Sequence, residues 1–199
     1  MNQVGRKMVD ILKSLKEEYG CVAVKAEFEA EGSRTDEMIM LTEVLNTVNM
    51  PLTIKIGGCE AVRDLDQCKL LGASGIMAPM IETPFALSKF KGAARKVYGD
   101  AMGGINWVIN AETKTCKKNY SDILAEGQGF LDMVGIGRVD FSASCGLTRA
   151  DINNDFMLES CIDLAKQSRG AGLRVAFGGG ISFDAIPFIM AMAPYADRF

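Results

Sequence analysis

The chain has 199 residues, 48% hydrophobic and 24% charged, with 22 basic and 25 acidic side chains and no histidine. A chain this long buries roughly 70% of its unfolded surface, so it needs no disulfide or structural metal to hold a core. The net charge of −3, with Lys and Arg scattered along the chain, leaves no polyanion footprint and argues against nucleic acid, while the lack of histidine excludes every imidazole acid, base and metal ligand.

The first stretch sets Met8, Ile11, Leu12 and Leu15 among Arg6, Lys7, Lys13, Lys16, Glu17 and Glu18 and ends at Gly20, the pattern of an amphipathic helix. Six short apolar runs bounded by turn residues follow: 21–28, 52–58, 75–80, 104–110, 132–137 and 174–180. They read as strands. Helix-length stretches lie near 34–48, 60–72, 84–97, 114–126, 151–170 and 183–192. Strands alternating with helices imply a parallel sheet joined by right-handed crossovers. The first strand lacks a GxGxxG turn and instead meets Glu27, Glu29, Glu31 and Gly32, which disfavours an open dinucleotide-binding sheet. The expected fold is therefore a single α/β domain over 1–199, a (β/α)8 TIM barrel that is incomplete or truncated at its ends. Its polar strand ends would gather on one face. Residues 196–199 read as the start of a further strand.

The six cysteines occur singly without a CxxC pair, and no signal-peptide or membrane-spanning run is present. These features predict reduced thiols in a cytoplasmic protein with no membrane partner. An incomplete barrel exposes strand edges, which predicts a homo-oligomer.

Two segments at predicted strand ends carry the chemistry: INAETKT (109–115) and VGIGRVDFSASCG (134–146). Two carboxylates at the ends of successive parallel strands can share one ion, and an oxygen-rich site suits Mg²⁺ or Mn²⁺. Such an ion polarises a ketone and stabilises an enolate. The plainer alternative has Glu112 capping the next helix with Thr113 and Thr115, and Asp140 capping its own turn.

These segments resemble the HpcH/HpaI aldolase and citrate lyase β-subunit family. The resemblance implies a carbon–carbon lyase acting on a 2-oxo acid. It makes Glu112 and Asp140 the metal ligands and gives Val139 and Asp140, beside Gly137, the amides that receive the substrate carboxylate. Asn110, in the first segment, joins the substrate-binding set. The resemblance extends to GIMAPMIETPFAL (75–87), where Glu82 is either a further site carboxylate or a residue favoured by the following helix dipole. Lys55 falls where the family carries an arginine at the substrate's keto oxygen. It polarises a carbonyl, forms a Schiff base, or pairs with Glu27 or Glu29. Ala30 stands in the place of the family's catalytic histidine, leaving Glu29 as the candidate for proton transfer. Arg138 replaces a usually apolar residue. It is expected either to grip a second carboxylate or a phosphate, or to pair with Asp140 or Glu112.

Gly178–Gly180 with Ile181 and Ser182 form a turn of the kind that binds phosphate, which supports a rival reading as a phosphate-binding isomerase or synthase. A third reading is a barrel that has lost catalysis and serves as a binding or assembly subunit.

Overall fold

A computed structural model describes residues 1–28 and 30–199. In chain order it forms α1 (Gln3–Glu18), β1 (Val24–Glu27), α2 (Thr35–Thr47), β2 (Leu52–Lys55), α3 (Val62–Leu70), β3 (Gly75–Ala78) and α4 (Pro84–Tyr98). These are followed by β4 (Asn106–Ala111), α5 (Lys114–Lys118), α6 (Tyr120–Glu126), β5 (Met133–Gly137), α7 (Arg138–Ser144), α8 (Asp155–Gly170), β6 (Arg174–Gly178) and α9 (Ile186–Met192). All six predicted strands are present, each shorter than expected, with β4 shifted so that it ends one residue later, at Ala111. The fold is α/β, with the element order of an incomplete TIM-like barrel. Among the described residues there are six strands, not the eight of a closed barrel.

The contacts separate the chain into two compact units, residues 1–77 with 93–106 and residues 78–92 with 107–199. In the first unit β1 pairs with β2 and β2 with β3, all parallel, with Ala26 opposite Ile54 and Ile54 opposite Ile76. Ile54, Ile56, Leu65, Cys68 and Ile76 are fully buried. Helix α1 packs against α2 through Gly5, Val9 and Leu12. Here the structure refines the sequence reading, which placed Ile11, Leu12 and Leu15 on one face: Leu12 is buried, whereas Ile11 and Leu15 are exposed.

In the second unit β4 pairs with β5 and β5 with β6, again parallel, with Ala111 opposite Ile136 and Gly137 opposite Gly178. Nearly every residue of β4 and β5 is buried, as expected for strands covered on both faces. Helix α8 lies over β5 and β6. Its Asn154 side chain accepts from the Met157 amide as an N-cap. Trp107 stacks on Phe130, and both meet Phe90 edge-on. The tail behaves as the start of a strand: Arg198 bridges Ala176 in parallel, and its carbonyl accepts from the Phe177 amide.

Two predicted boundaries shift. The helix expected over 114–126 breaks at Asn119 into α5 and α6. Helix α7 was not expected at all, because it starts directly from β5 with no turn between them.

Candidate active site

Glu112 immediately follows β4 and is 1% exposed. Its Oε1 accepts from the Met80 backbone N–H at 2.9 Å, and its Oε2 accepts from Asn110 Nδ2 at 2.9 Å. Asn110 lies two residues back on the same strand, so the pleat sends both side chains to one face. Met80 is one of two non-glycine residues with positive φ among the described residues, at 51°. The backbone there is held in a conformation that costs energy for a residue with a side chain, and its N–H is aimed at Glu112. The helix cap belongs to Thr113, whose hydroxyl accepts from the Cys116 amide, and not to Glu112.

Because Ala111 lies opposite Ile136, Glu112 stands beside Gly137 at the end of β5. A Cβ on Gly137 would come within 2.7 Å of Glu112 Oε2 and 2.8 Å of Glu112 Cβ. The missing side chain is thus what gives the carboxylate its place. Asp140 follows three residues later in the first turn of α7 and is exposed. Both acids therefore come from the carboxyl ends of paired strands, at the same edge of this unit's sheet.

The first amides of α7 have no partner within the helix, and the backbone of Gly179 lies against them. A Cβ on Gly179 would sit 3.0 Å from the Val139 nitrogen and 3.4 Å from that of Arg138. Gly179 has φ of 84°, so glycine suits both the turn and the close approach.

Glu82 is half-buried just before α4, and its backbone carbonyl accepts from Asn119 Nδ2 at 2.8 Å. Its charge and that of Glu112 both act on the Cys116 thiol. Burial, then Glu112, then Glu82 push that thiol up to about 12. Cys116 therefore stays protonated and is no nucleophile.

Arg138 does not do what the sequence suggested. It is completely buried, with Nε donating to the Gly178 carbonyl at 3.3 Å, one terminal nitrogen to Asn153 Oδ1 at 2.8 Å, and the other to the Gly179 carbonyl. Its guanidinium also lies over the Phe188 ring at 4.3 Å. Burial lowers its pKa, yet an arginine remains charged. The expected grip on a substrate anion and the expected ion pair to Asp140 or Glu112 are replaced by a tie across the turn after β6. Nothing in the sequence marked Asn153 or Phe188 as its partners.

In the first unit, Lys55 at the end of β2 is paired with Glu27 at the end of β1. Glu27 Oε2 receives Lys25 Nζ at 2.9 Å and Lys55 Nζ at 3.4 Å. Burial by itself would raise the Glu27 pKa, but its hydrogen bond to Lys25 and the charges of Lys25 and Lys55 outweigh it and hold the carboxyl below the usual range. Glu29 lies outside the described residues.

The donor set in the second unit is oxygen-only. Among the described residues no cluster of three or more His, Cys, Asp and Glu is placed to cage a metal. Two carboxylates suffice for Mg²⁺ or Mn²⁺, which keep several waters and complete their shell with substrate oxygens.

A cleft of about 380 Å³ is lined by Arg149, Ile152, Asn153, Gly180, Ile181 and Ser182, among others. All six described cysteines are free. No helix among the described residues is long and apolar enough to cross a membrane.

Three solved structures share this fold. The HpcH/HpaI aldolase from Desulfitobacterium hafniense DCB-2 matches with a TM-score of 0.79 at 15% identity, covering 96% of this chain and 79% of that one. Citrate synthase SbnG gives 0.75 at 15%, covering 97% and 80%. An HpcH/HpaI aldolase/citrate lyase family protein from Burkholderia cenocepacia J2315 gives 0.73 at 14%, covering 100% and 91%. No curated protein matches the sequence. The sequence pattern of the family described as HpcH/HpaI aldolase/citrate lyase matches residues 49–178, a span that takes in Lys55, Glu82, Glu112, Arg138 and Asp140. The chain belongs to the HpcH/HpaI aldolase/citrate lyase family.

Proposed function

We propose that the protein is a carbon–carbon lyase that makes or breaks a bond next to the carbonyl of a 2-oxo acid or related carboxylate, with a Mg²⁺ or Mn²⁺ ion held by Glu112 and Asp140. Membership of a family of aldolases and citrate lyases supports a lyase-type function. The observation that carries the finer reading is the buried Glu112 carboxylate. It is oriented by Met80 and Asn110 and faces a glycine where any side chain would displace it.

The bound ion would polarise the substrate carbonyl and stabilise negative charge on the enolate. The chain's own residues do the rest. Asn110 and the Met80 amide hold Glu112 in one orientation, so no reorganisation is needed when substrate arrives. The free amides of Val139 and Asp140 receive the substrate carboxylate beside Gly137. With six free cysteines, the cytoplasm is the compartment that fits the chain.

The cleft beside Gly180–Ser182 supports a second reading, in which that turn holds a substrate phosphate.

Calorimetry with Mn²⁺, with and without oxalate as an enolate mimic, tests the first reading on wild type, Glu112→Gln and the exposed-site variant Asp140→Asn. Oxalate should bind only with the metal, and either substitution should weaken metal binding at least tenfold. Oxalate binding that is the same with and without Mn²⁺ would refute the lyase mechanism. Phosphate binding with no Mn²⁺ dependence would favour the second reading.

A further inference from the structure

Two arginines of the second unit carry buried guanidinium nitrogens, and only one of them is fully satisfied. Every side-chain nitrogen of Arg138 donates to a protein oxygen. Arg198, in the tail that bridges to β6, is half-buried, and its Nε is buried with no hydrogen-bond partner among the described residues. A buried donor on a charged group is costly to leave unmade, so it calls for a reason. The face on which Arg198 lies supplies one.

The Phe199 ring packs beside Phe177, and Phe177 beside Phe188 of α9, with centroids 6.0 Å apart in each pair. Phe177 and Phe199 therefore point toward the helix, and strand alternation sends their neighbours Ala176 and Arg198 to the opposite face. The register carries that face across the sheet. Asn110 lies opposite Gly135, Gly135 opposite Ala176, and Ala176 opposite Arg198. The next row toward the carboxyl ends holds Glu112, Gly137 and Gly178. Arg198 thus shares a face with Asn110 and Glu112, and the four positions between them, Gly135, Gly137, Ala176 and Gly178, carry at most a methyl group. Adjacent strands lie about 4.8 Å apart, which puts the tail about 10 Å from β5 and the α7 amides that follow it. An arginine side chain covers much of that span and leaves room for a short carbon chain.

We propose that Arg198 is a specificity-determining residue of the site, which receives a second, distal carboxylate of the substrate and so selects 2-oxo dicarboxylic acids. The inference rests on the metal-dependent reading of Glu112 and Asp140, and adds to it which 2-oxo acids are taken. The oxo-acid end lies at the α7 amides beside Gly137, and the carbon chain runs over Gly135 and Ala176 toward the guanidinium. A carboxylate there is met by two parallel donors, one of them the Nε that otherwise has no partner. An analogue without the distal carboxylate leaves that donor unpaired, the situation in which a binding site discriminates most strongly.

Calorimetry at saturating Mn²⁺ tests it with three ligands. These are 2-oxoglutarate, 2-oxopentanoate, which has the same length but a methyl in place of the distal carboxylate, and oxalate, which is too short to reach Arg198. Wild type should bind 2-oxoglutarate at least about tenfold tighter than 2-oxopentanoate. Arg198→Gln should abolish that preference and leave oxalate and 2-oxopentanoate unchanged, while Arg198→Lys should keep part of it. Circular dichroism confirms that each variant is folded, and the wild-type comparison needs no variant. Equal binding of the two five-carbon acids by wild type, with oxalate still requiring Mn²⁺, overturns the assignment of Arg198 alone. So does an Arg198→Gln variant that weakens all three ligands alike, the mark of a purely structural residue. Oxalate binding that ignores Mn²⁺ refutes the underlying reading of the site, and this inference falls with it.

Discussion

Adding one methyl group to Gly137 should damage the candidate site more than its size suggests. The new Cβ would lie 2.7 Å from Glu112 Oε2 and 2.8 Å from Glu112 Cβ, both closer than real Cβ contacts occur. Glu112 has no room to yield: it is 1% exposed, and each carboxylate oxygen is already bonded, to Met80 and to Asn110. The backbone itself is no obstacle, because Gly137 has φ of −90°. At such a site alanine would ordinarily stabilise by about 0.4–1 kcal/mol through a less flexible unfolded chain. Overpacking costs about 1–3 kcal/mol, and losing one hydrogen bond to a charged group costs about 1.5–3 kcal/mol. The balance is a destabilisation of about 1.5–5.5 kcal/mol, which at a typical urea slope lowers the unfolding midpoint by about 1–3 M. Urea titration followed by circular dichroism measures this, and calorimetry with Mn²⁺ on the folded variant should show weakened metal binding. If Gly137→Ala unfolds at the wild-type midpoint and binds Mn²⁺ unchanged, the idea that a glycine makes room for the carboxylate is wrong.

The Glu27 ion pairs predict a pH dependence. Since the folded carboxyl titrates below its unfolded value, its contribution is fully present above about pH 4.5 and is lost as pH falls through the lowered folded value. Glu27→Gln should therefore cost about 1–3 kcal/mol at pH 7, and its difference from wild type should shrink in acid, read by urea titrations between pH 3 and 7. A difference that grows in acid would contradict the assignment. The cysteines should divide by burial. Cys68, Cys116 and Cys161 are buried, with thiols pushed up to about 12 chiefly by desolvation. At pH 8 only about one in ten thousand of each is thiolate. Iodoacetamide on the native protein, read by mass spectrometry, should modify the partly exposed Cys21, Cys59 and Cys145 first. Early modification of Cys116 would show that the region around Glu112 opens.

The strands were legible because they are short, mostly apolar and bounded by Gly, Pro or Asp, β4 and β5 being apolar on both faces, as in VGIG before Arg138. That signal survives any packing. The positions of Glu112 and Asp140 were legible for the same reason, since a motif at a strand end inherits the strand's location. Helix α7 was not, because RVDFSAS has two β-branched or aromatic residues and two serines, a composition with no helical preference. Its helicity comes from its place between β5 and α8. Arg138 was misread because a charged residue next to an acid invites pairing, and sequence cannot show that Phe188 and Asn153, 15 to 50 positions away, enclose it instead. The division of α1 into a covered and an exposed face was equally invisible: Ile11 and Leu12 are neighbours in sequence, and only the position of α2 decides which one is covered.

Arg138 has a mechanical consequence. A single side chain rooted at the head of α7 grips two successive carbonyls of the turn after β6. The head of α7 and the turn after β6 are thereby riveted together and move as one piece. The same guanidinium also holds Asn153, so the stretch leading into α8 is bolted to that piece as well.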